Sequence, residues 1–156
     1  MSDIRIRQIC LVAHDLDHIQ QQLESVFGVE VAHRDPGVGR HGLHNWLIPF
    51  GNQLLEAVSP LPGEHDTAGG RYLKRRGGDG GYMVIMQCGD IAAARERVAG
   101  LGIRLVLDMP GEESNGIQLH PKDVPAAIAE LRWNAGDDDL AGPWGPAGPD
   151  WLPAKR

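Results

Sequence analysis

A pattern that occurs twice narrows the folds open to this chain more than any other feature of it. In the first copy a β-rich, largely apolar run, Ile6 to Ala13, meets His14-Asp15-Leu16 and then a helical pattern that stops at Phe27-Gly28-Val29. In the second, Tyr82 to Cys88 meets Gly89-Asp90-Ile91 and a helical pattern that stops at Leu101-Gly102-Ile103. Asp15 maps onto Asp90 at an offset of 75, and Gly28 onto Gly102 at an offset of 74. The chain reads as a duplicated module, and 156 residues suffice for two half-size modules to share one ordinary core.

Local chemistry gives each module its elements. Ile6 to Ala13 reads as a buried strand, although a short apolar run does not by itself exclude helix. Asp15 suits an N-cap, because its carboxylate can accept from backbone N–H groups two or three residues on. Leu16, Ile19, Leu23, Val26 and Phe27 follow at helical spacing as one apolar stripe, and Gly28 suits a left-handed C-cap. Val29 to Ala32 reads as a second strand and His33 to His44 as a loop. Trp46 to Phe50, a turn at Gly51-Asn52 and Gln53 to Val58 read as a hairpin, so the module is βαβββ. Thr67 to Arg76 reads as a short basic helix. The glycine-rich run after it lacks the GxxxxGK[ST] pattern of a phosphate loop and reads as a crossover. Module two has Ile91, Ala94, Val98 and Leu101 as its stripe, then strands over Ile103 to Leu107, Gly116 to His120 and Ala127 to Trp133. The boundaries expected are 4–60 for module one, 61–80 for the crossover and 81–135 for module two, all within one domain, 1–135, followed by an irregular Pro/Gly/Trp tail, 136–156. Trp144 and Trp151 imply that this tail packs on something, since a solvated tail seldom carries such large apolar groups.

Composition removes whole classes. A hydrophobic content of 42% with 23% charged residues is an ordinary balance for a globular domain, and no apolar run approaches the roughly 20 residues that cross a bilayer. A net charge of −6 argues against a nucleic-acid binder. The opening Met1 to Arg5 lacks the apolar core of a signal peptide, so a cytoplasmic location is expected. Cys10 and Cys88 occupy matching places in the two modules and read as buried small hydrophobes rather than a redox pair.

Together, two βαβββ modules, the junctions Asp15-Leu16 and Asp90-Ile91, Gln53-Leu54-Leu55-Glu56-Ala57-Val58-Ser59-Pro60 and Ile117-Gln118-Leu119-His120-Pro121-Lys122 carry a resemblance. The chain resembles the vicinal oxygen chelate superfamily, which holds glyoxalase I, methylmalonyl-CoA epimerase, extradiol dioxygenases and resistance proteins of the bleomycin and fosfomycin type. It looks most like the glyoxalase-like and methylmalonyl-CoA epimerase branch. The resemblance covers roughly Ile4 to Trp133. It implies an α+β fold in which each module curves a mixed sheet into a half-barrel around a cleft. One fold hosts many chemistries, so the reaction follows less directly.

In that superfamily the first and last strands of each module supply one metal ligand apiece, and the matching positions here are Gln8, Glu56, Met83 and Glu130. Gln8, Glu56 and Glu130 match residue types the family uses. Met83 stands where the family commonly has His, and a thioether is a poor ligand for hard or borderline cations. Tyr82 would face the cleft instead if the strand carried a one-residue bulge. Two readings stay open. In one, Gln8, Glu56 and Glu130 hold Mg, Mn, Co, Ni or Zn. In the other there is no cofactor, and Glu56 and Glu130 act as acid and base on a bound substrate, with Gln8 anchoring an enolate-like oxygen.

The resemblance implies an isomerase or lyase that abstracts a proton next to a carbonyl of a small carboxylic or thioester substrate. The alternative is a non-catalytic protein that sequesters a small molecule, as bleomycin-type resistance proteins do. His33, His41 and His44 crowd the loop at the expected cleft mouth and Asn45 begins the strand beyond it; one of His41, His44 or Asn45 is expected to contact substrate, the alternative being a solvated loop. His120 is expected to shape the second half of the cleft or to make a structural hydrogen bond. Arg71, with Lys74, Arg75 and Arg76, forms a basic patch that either meets an acidic substrate tail or is a solvated helix face. His14 and His18 read as surface residues, and a homodimer is implied by the resemblance alone.

Overall fold

The computed structural model describes residues 4–64, 66–136, 142 and 144–148. Among the described residues, seven strands and three α-helices make an α+β fold with both antiparallel and parallel strand pairs. In chain order they are β1 (Ile4–Val12), α1 (Leu16–Phe27), β2 (Leu43–Phe50), β3 (Gln53–Pro60), α2 (Ala68–Arg76), β4 (Gly80–Cys88), α3 (Ile91–Gly100), β5 (Leu105–Met109), β6 (Ser114–Leu119) and β7 (Ile128–Asn134). The described residues cluster into two compact units, one within Cys10–Tyr82 and Pro146–Arg156, the other within Met1–Ile9 and Met83–Gly145. β1 and β4 therefore each pass from one unit into the other.

The first unit is built on the β2–β3 hairpin, paired antiparallel from Leu43 opposite Pro60 to Phe50 opposite Gln53. Gly51 takes φ 62° in its turn, which costs a residue without Cβ nothing. The expected helix follows from its caps. Asp15 accepts from the His18 N–H, and Gly28 closes the last turn at φ 64° while its N–H donates to the Glu24 carbonyl. Leu16, Trp46, Ile48 and Ala57 form the core here, with Ile19 and Leu23 packed against it. The Trp46 indole N–H, fully buried, donates to the Leu16 carbonyl at 3.1 Å. Cys10 is buried in this unit, as Cys88 is in the other.

Two expectations fail in this unit. Val29 to Ala32 is not a strand: the Val31 N–H donates to the Glu24 carboxylate at 3.1 Å, so a side chain takes the group a ladder would use. What is left is a single antiparallel bridge, His33 opposite Leu47. The apolar stripe also ends early. Val26 is 73% exposed, and Phe27, half exposed, meets the Phe50 ring edge-on, because the last turn of α1 runs past the sheet-covered core. The expected loop over 33–44 contains a 3-10 helix, Pro36–His41, opened by the Asp35 carboxylate on the Gly37 N–H.

The second unit is the complete βαβββ module. Its strands order as β4-β7-β6-β5, with β4 and β7 parallel and the other neighbours antiparallel. Asp90 caps α3 by accepting from the Ala93 N–H. Ile91, Ala94 and Val98 of that helix pack with Cys88, Ile117, Leu119 and Leu131, whereas Leu101, beyond the last full turn, is 69% exposed. β6 and β7 approach closely at Gly116, where a Cβ would meet the Leu131 carbonyl oxygen at 3.1 Å. Ala126 enters β7 with φ 94°, a strained conformation for a residue with Cβ.

Candidate functional site

β2 and β3 bring Glu56 and Asn45 together. Glu56 lies opposite Leu47 and Asn45 opposite Val58, so the two sit two residues apart along neighbouring strands, on one face. Both are buried. The Asn45 Nδ2 amide donates to Glu56 Oε1 at 2.6 Å, and Asn45 Oδ1 accepts from the Asp35 N–H at 2.8 Å. The second bond fixes which end of the amide faces the acid, because a backbone N–H can only be met by the oxygen.

β6 and β7 repeat the arrangement in the other unit. Gln118 lies directly opposite Glu130, and its Nε2 donates to Glu130 Oε2 at 2.9 Å. Arg132, two residues on and so on the same face of β7, donates through Nε to Glu130 Oε1 at 2.6 Å. The Glu130 side chain is 2% exposed and that of Arg132 19%, so the ion pair is largely desolvated. Arg132 also reaches Ser114 Oγ at 3.3 Å and the Met109 sulfur at 3.7 Å.

Gln8, also fully buried, is held from the C-terminal segment. The Trp144 Nε1–H donates to Gln8 Oε1 at 2.7 Å, and the indole is 1% exposed. The guanidinium carbons of Arg7 and Arg132 lie 4.9 Å and 5.9 Å from a Trp144 ring centroid, within the range of cation–π attraction. Arg7 donates to Gln87 Oε1 and, at 2.9 Å, to the Gly142 carbonyl. The packed tail expected from Trp144 is thus present at that residue; Trp151 lies outside the described residues.

The other candidates are more scattered. Met83 is half-buried and sits opposite Ile128 in the β4–β7 ladder. Its neighbour Tyr82 is buried against Tyr72, ring centroids 5.4 Å apart, and burial, with Cys10 nearby, pushes its hydroxyl up to about 12. His120 closes a turn: its Nδ1 accepts from the Lys122 N–H at 3.1 Å and its carbonyl from Asp123 and Val124. Arg71 is exposed and pairs with Asp66 at 2.9 Å. His14 is exposed and bonds Asp79 at 2.9 Å, and His18 is exposed. Arg104 bonds Asp123 on the surface and holds that carboxyl well below the usual carboxylate range.

As arranged, these donors do not fit a divalent cation. Gln8 presents its oxygen to an indole N–H, Glu130 is neutralised by a guanidinium, and Met83 offers a thioether. Among the described residues no cluster of three or more His, Cys, Asp or Glu side chains is placed to bind a metal. Sequence reasoning passed over Arg132 and the pairing of Trp144 with Gln8. Gln118 was findable, since it precedes Glu130 by 12 residues much as Asn45 precedes Glu56 by 11. The first unit also holds an open cavity of about 610 Å³, lined by Leu16, His44, Ser59, Leu61, Leu73 and Lys74 among others. His44 and Lys74 are the sequence candidates that reach it, whereas Gln8, Asn45, Glu56, Arg71, Met83, His120 and Glu130 do not line it.

With this geometry in place, comparison adds the lineage. The family described as the glyoxalase-like domain matches residues 9–149. A methylmalonyl-CoA epimerase variant of Streptomyces coelicolor in complex with 2-nitronate-propionyl-CoA is 24% identical, over 85% of this chain and 98% of that one, with a TM-score of 0.67. The methylmalonyl-CoA epimerase of Mycobacterium tuberculosis is 22% identical, over 85% and 89%, with a TM-score of 0.71. A hypothetical protein of Bacillus halodurans is 13% identical, over 85% and 95%, with a TM-score of 0.73. At these identities the likeness shows a shared fold. No curated protein matches the chain.

Proposed function

The chain belongs to the glyoxalase-like domain family, and we propose that within it the chain is an isomerase or lyase that moves a proton at a carbon next to a carbonyl. The observation that carries this reading is a buried glutamate held by an amide, made twice: Asn45 to Glu56 at 2.6 Å and, from a half-buried side chain, Gln118 to Glu130 at 2.9 Å. A duplicated fold that buries one oriented glutamate in each copy has two acid–base groups of the kind carbon-acid chemistry needs. In the proposed reaction Glu56 takes the proton and the electron pair of the C–H bond moves into the carbonyl, leaving a negative oxygen. Polar donors on the protein stabilise that oxygen, and Glu56, now carrying the proton, exchanges it with solvent and returns a proton to the carbon. Asn45 is a positioning residue: it holds one carboxylate oxygen of Glu56, so the acid keeps a single orientation.

A thioester or small carboxylic substrate is the class proposed, by analogy with the epimerases that share the fold. Uptake of deuterium from solvent at the α carbon, followed by NMR over a panel of acyl-CoA thioesters and 2-oxo acids, identifies turnover. Glu56→Gln is expected to lower the exchange rate about 100- to 10,000-fold, the usual worth of a positioned base, while ligand affinity stays within a few-fold. The reading fails if the variant exchanges at the wild-type rate.

A second reading, sequestration of a small apolar ligand without turnover, is favoured by the cavity beside Leu16, Leu61 and Leu73, whose volume is that of an ordinary ligand site. Tight binding with no α-deuteration of any compound supports it.

A further inference from the structure

Gln8 and Glu130 are the two residues of one unit that the family resemblance assigns to a divalent cation, and the chain satisfies both from within. Trp144 is the centre of that arrangement. Its N–H meets Gln8 Oε1 at 2.7 Å, and guanidinium carbons lie 4.9 Å and 5.9 Å from its ring. Arg132, the farther of these two cations, is ion-paired with Glu130 at 2.6 Å. Arg7, the nearer, also clasps the backbone of the same segment through the Gly142 carbonyl at 2.9 Å. Two hydrogen bonds and two cation–π contacts thus hold this segment at one place.

The chemistry of each contact excludes a metal. An indole N–H donates and cannot accept, so it turns its positive end towards the oxygen that a cation would need. A divalent ion at Gln8 would then face that hydrogen as well as two guanidinium groups in a buried site, where repulsion is poorly screened. Glu130 already carries a cation of its own.

We infer that the C-terminal segment around Trp144 is the resident occupant of this site. Arg132 and the Trp144 indole take the places a divalent metal would fill, and Gln8 and Glu130 become available to an outside cation or a substrate oxygen only when Trp144 withdraws. The inference does not rest on the proposed reaction, because it concerns what holds these donors in the resting protein.

The test uses the full-length chain, stripped of metal, and Mn²⁺ as the probe. Titration followed by the electron paramagnetic resonance of free Mn²⁺ is expected to show no uptake at this site in the wild type. Hydrogen exchange is the companion readout: Trp144→Phe, which keeps a ring and loses the N–H, and Trp144→Ala are expected to speed exchange of β1 amides around Gln8 about tenfold or more, the signature of local opening. Stoichiometric Mn²⁺ binding by the wild type that disappears in Gln8→Ala and Glu130→Ala overturns the inference. So does unchanged β1 exchange in Trp144→Phe. If Trp144→Ala does not fold, the wild-type titration and the Phe variant still decide it.

Discussion

Glu56 and Glu130 occupy corresponding places at the last strands of the two modules, yet their surroundings differ in a telling way. Each accepts from an amide on the preceding strand, but Asn45 reaches Glu56 diagonally, whereas Gln118 stands directly opposite Glu130. The longer Gln side chain and the shift in register compensate for one another. The residue two places on differs more: it is Arg132 after Glu130 and Val58 after Glu56. Both copies hold an oriented acid, and in the second copy the strand position two residues on supplies Glu130 with a cation, Arg132. Arg132 adds a second anchor to Glu130, beside the Gln118 amide.

That contrast can be broken most forcefully at Arg132. Arg132→Met leaves a buried carboxylate without its cation and is expected to cost about 3–5 kcal/mol in urea unfolding, with most of the loss recovered in Arg132→Met/Glu130→Gln. Equal stability of the single and double variants would show that the pair is not coupled. Next in size is a titration in the other unit. Tyr82, raised from 10.0 to about 12, keeps its proton in the fold after the unfolded chain has begun to lose it. Its contribution is fully present below pH 10 and is lost as pH rises through about 12. Wild type should lose on the order of 2 kcal/mol across that window, and Tyr82→Phe should flatten the loss. Asn45→Leu is expected to cost about 2 kcal/mol, since it removes a hydrogen bond to a charged group and strands the Asp35 N–H. Gln118→Leu should cost about half as much, because Arg132 still holds Glu130; the reverse order would contradict the contrast drawn above. The smallest effect lies at the acid end. Asp123, lowered by its hydrogen bonds from Arg104, contributes above its unfolded value of about 4, and that contribution fades as pH falls towards its lower folded value. Asp123→Asn should therefore flatten the acid limb of a stability profile slightly and leave the alkaline limb untouched.

Much of this was legible in the residues. Asp15 and Asp90 announced helix starts because an aspartate cap acts through groups two or three residues away, and the 74-residue repeat put Glu56 and Glu130 in matching strands. What stayed hidden depended on distant partners or on where a core stops. Nothing near Val31 reveals that Glu24 will claim its N–H. The stripes of α1 and α3 do not say that Val26 and Leu101 overrun the packed surface. Trp144 signalled by its size alone that it would be buried, but its partner, Gln8, lies 136 residues away, beyond the reach of any local pattern.

The amide of Asn45 carries one last implication, for how the molecule would age. Its oxygen is committed to the Asp35 N–H and its nitrogen to Glu56, 2.6 Å away. Spontaneous deamidation at this one side chain would leave the volume unchanged and set two carboxyl groups against each other, so that one of them must take up a proton. A single slow hydrolysis would thus replace an amide–carboxylate pair by two carboxyl groups sharing a proton. Because the shared proton cancels the added charge in the fold, the change would show as an acidic isoform only under denaturing conditions, where the two carboxyl groups separate.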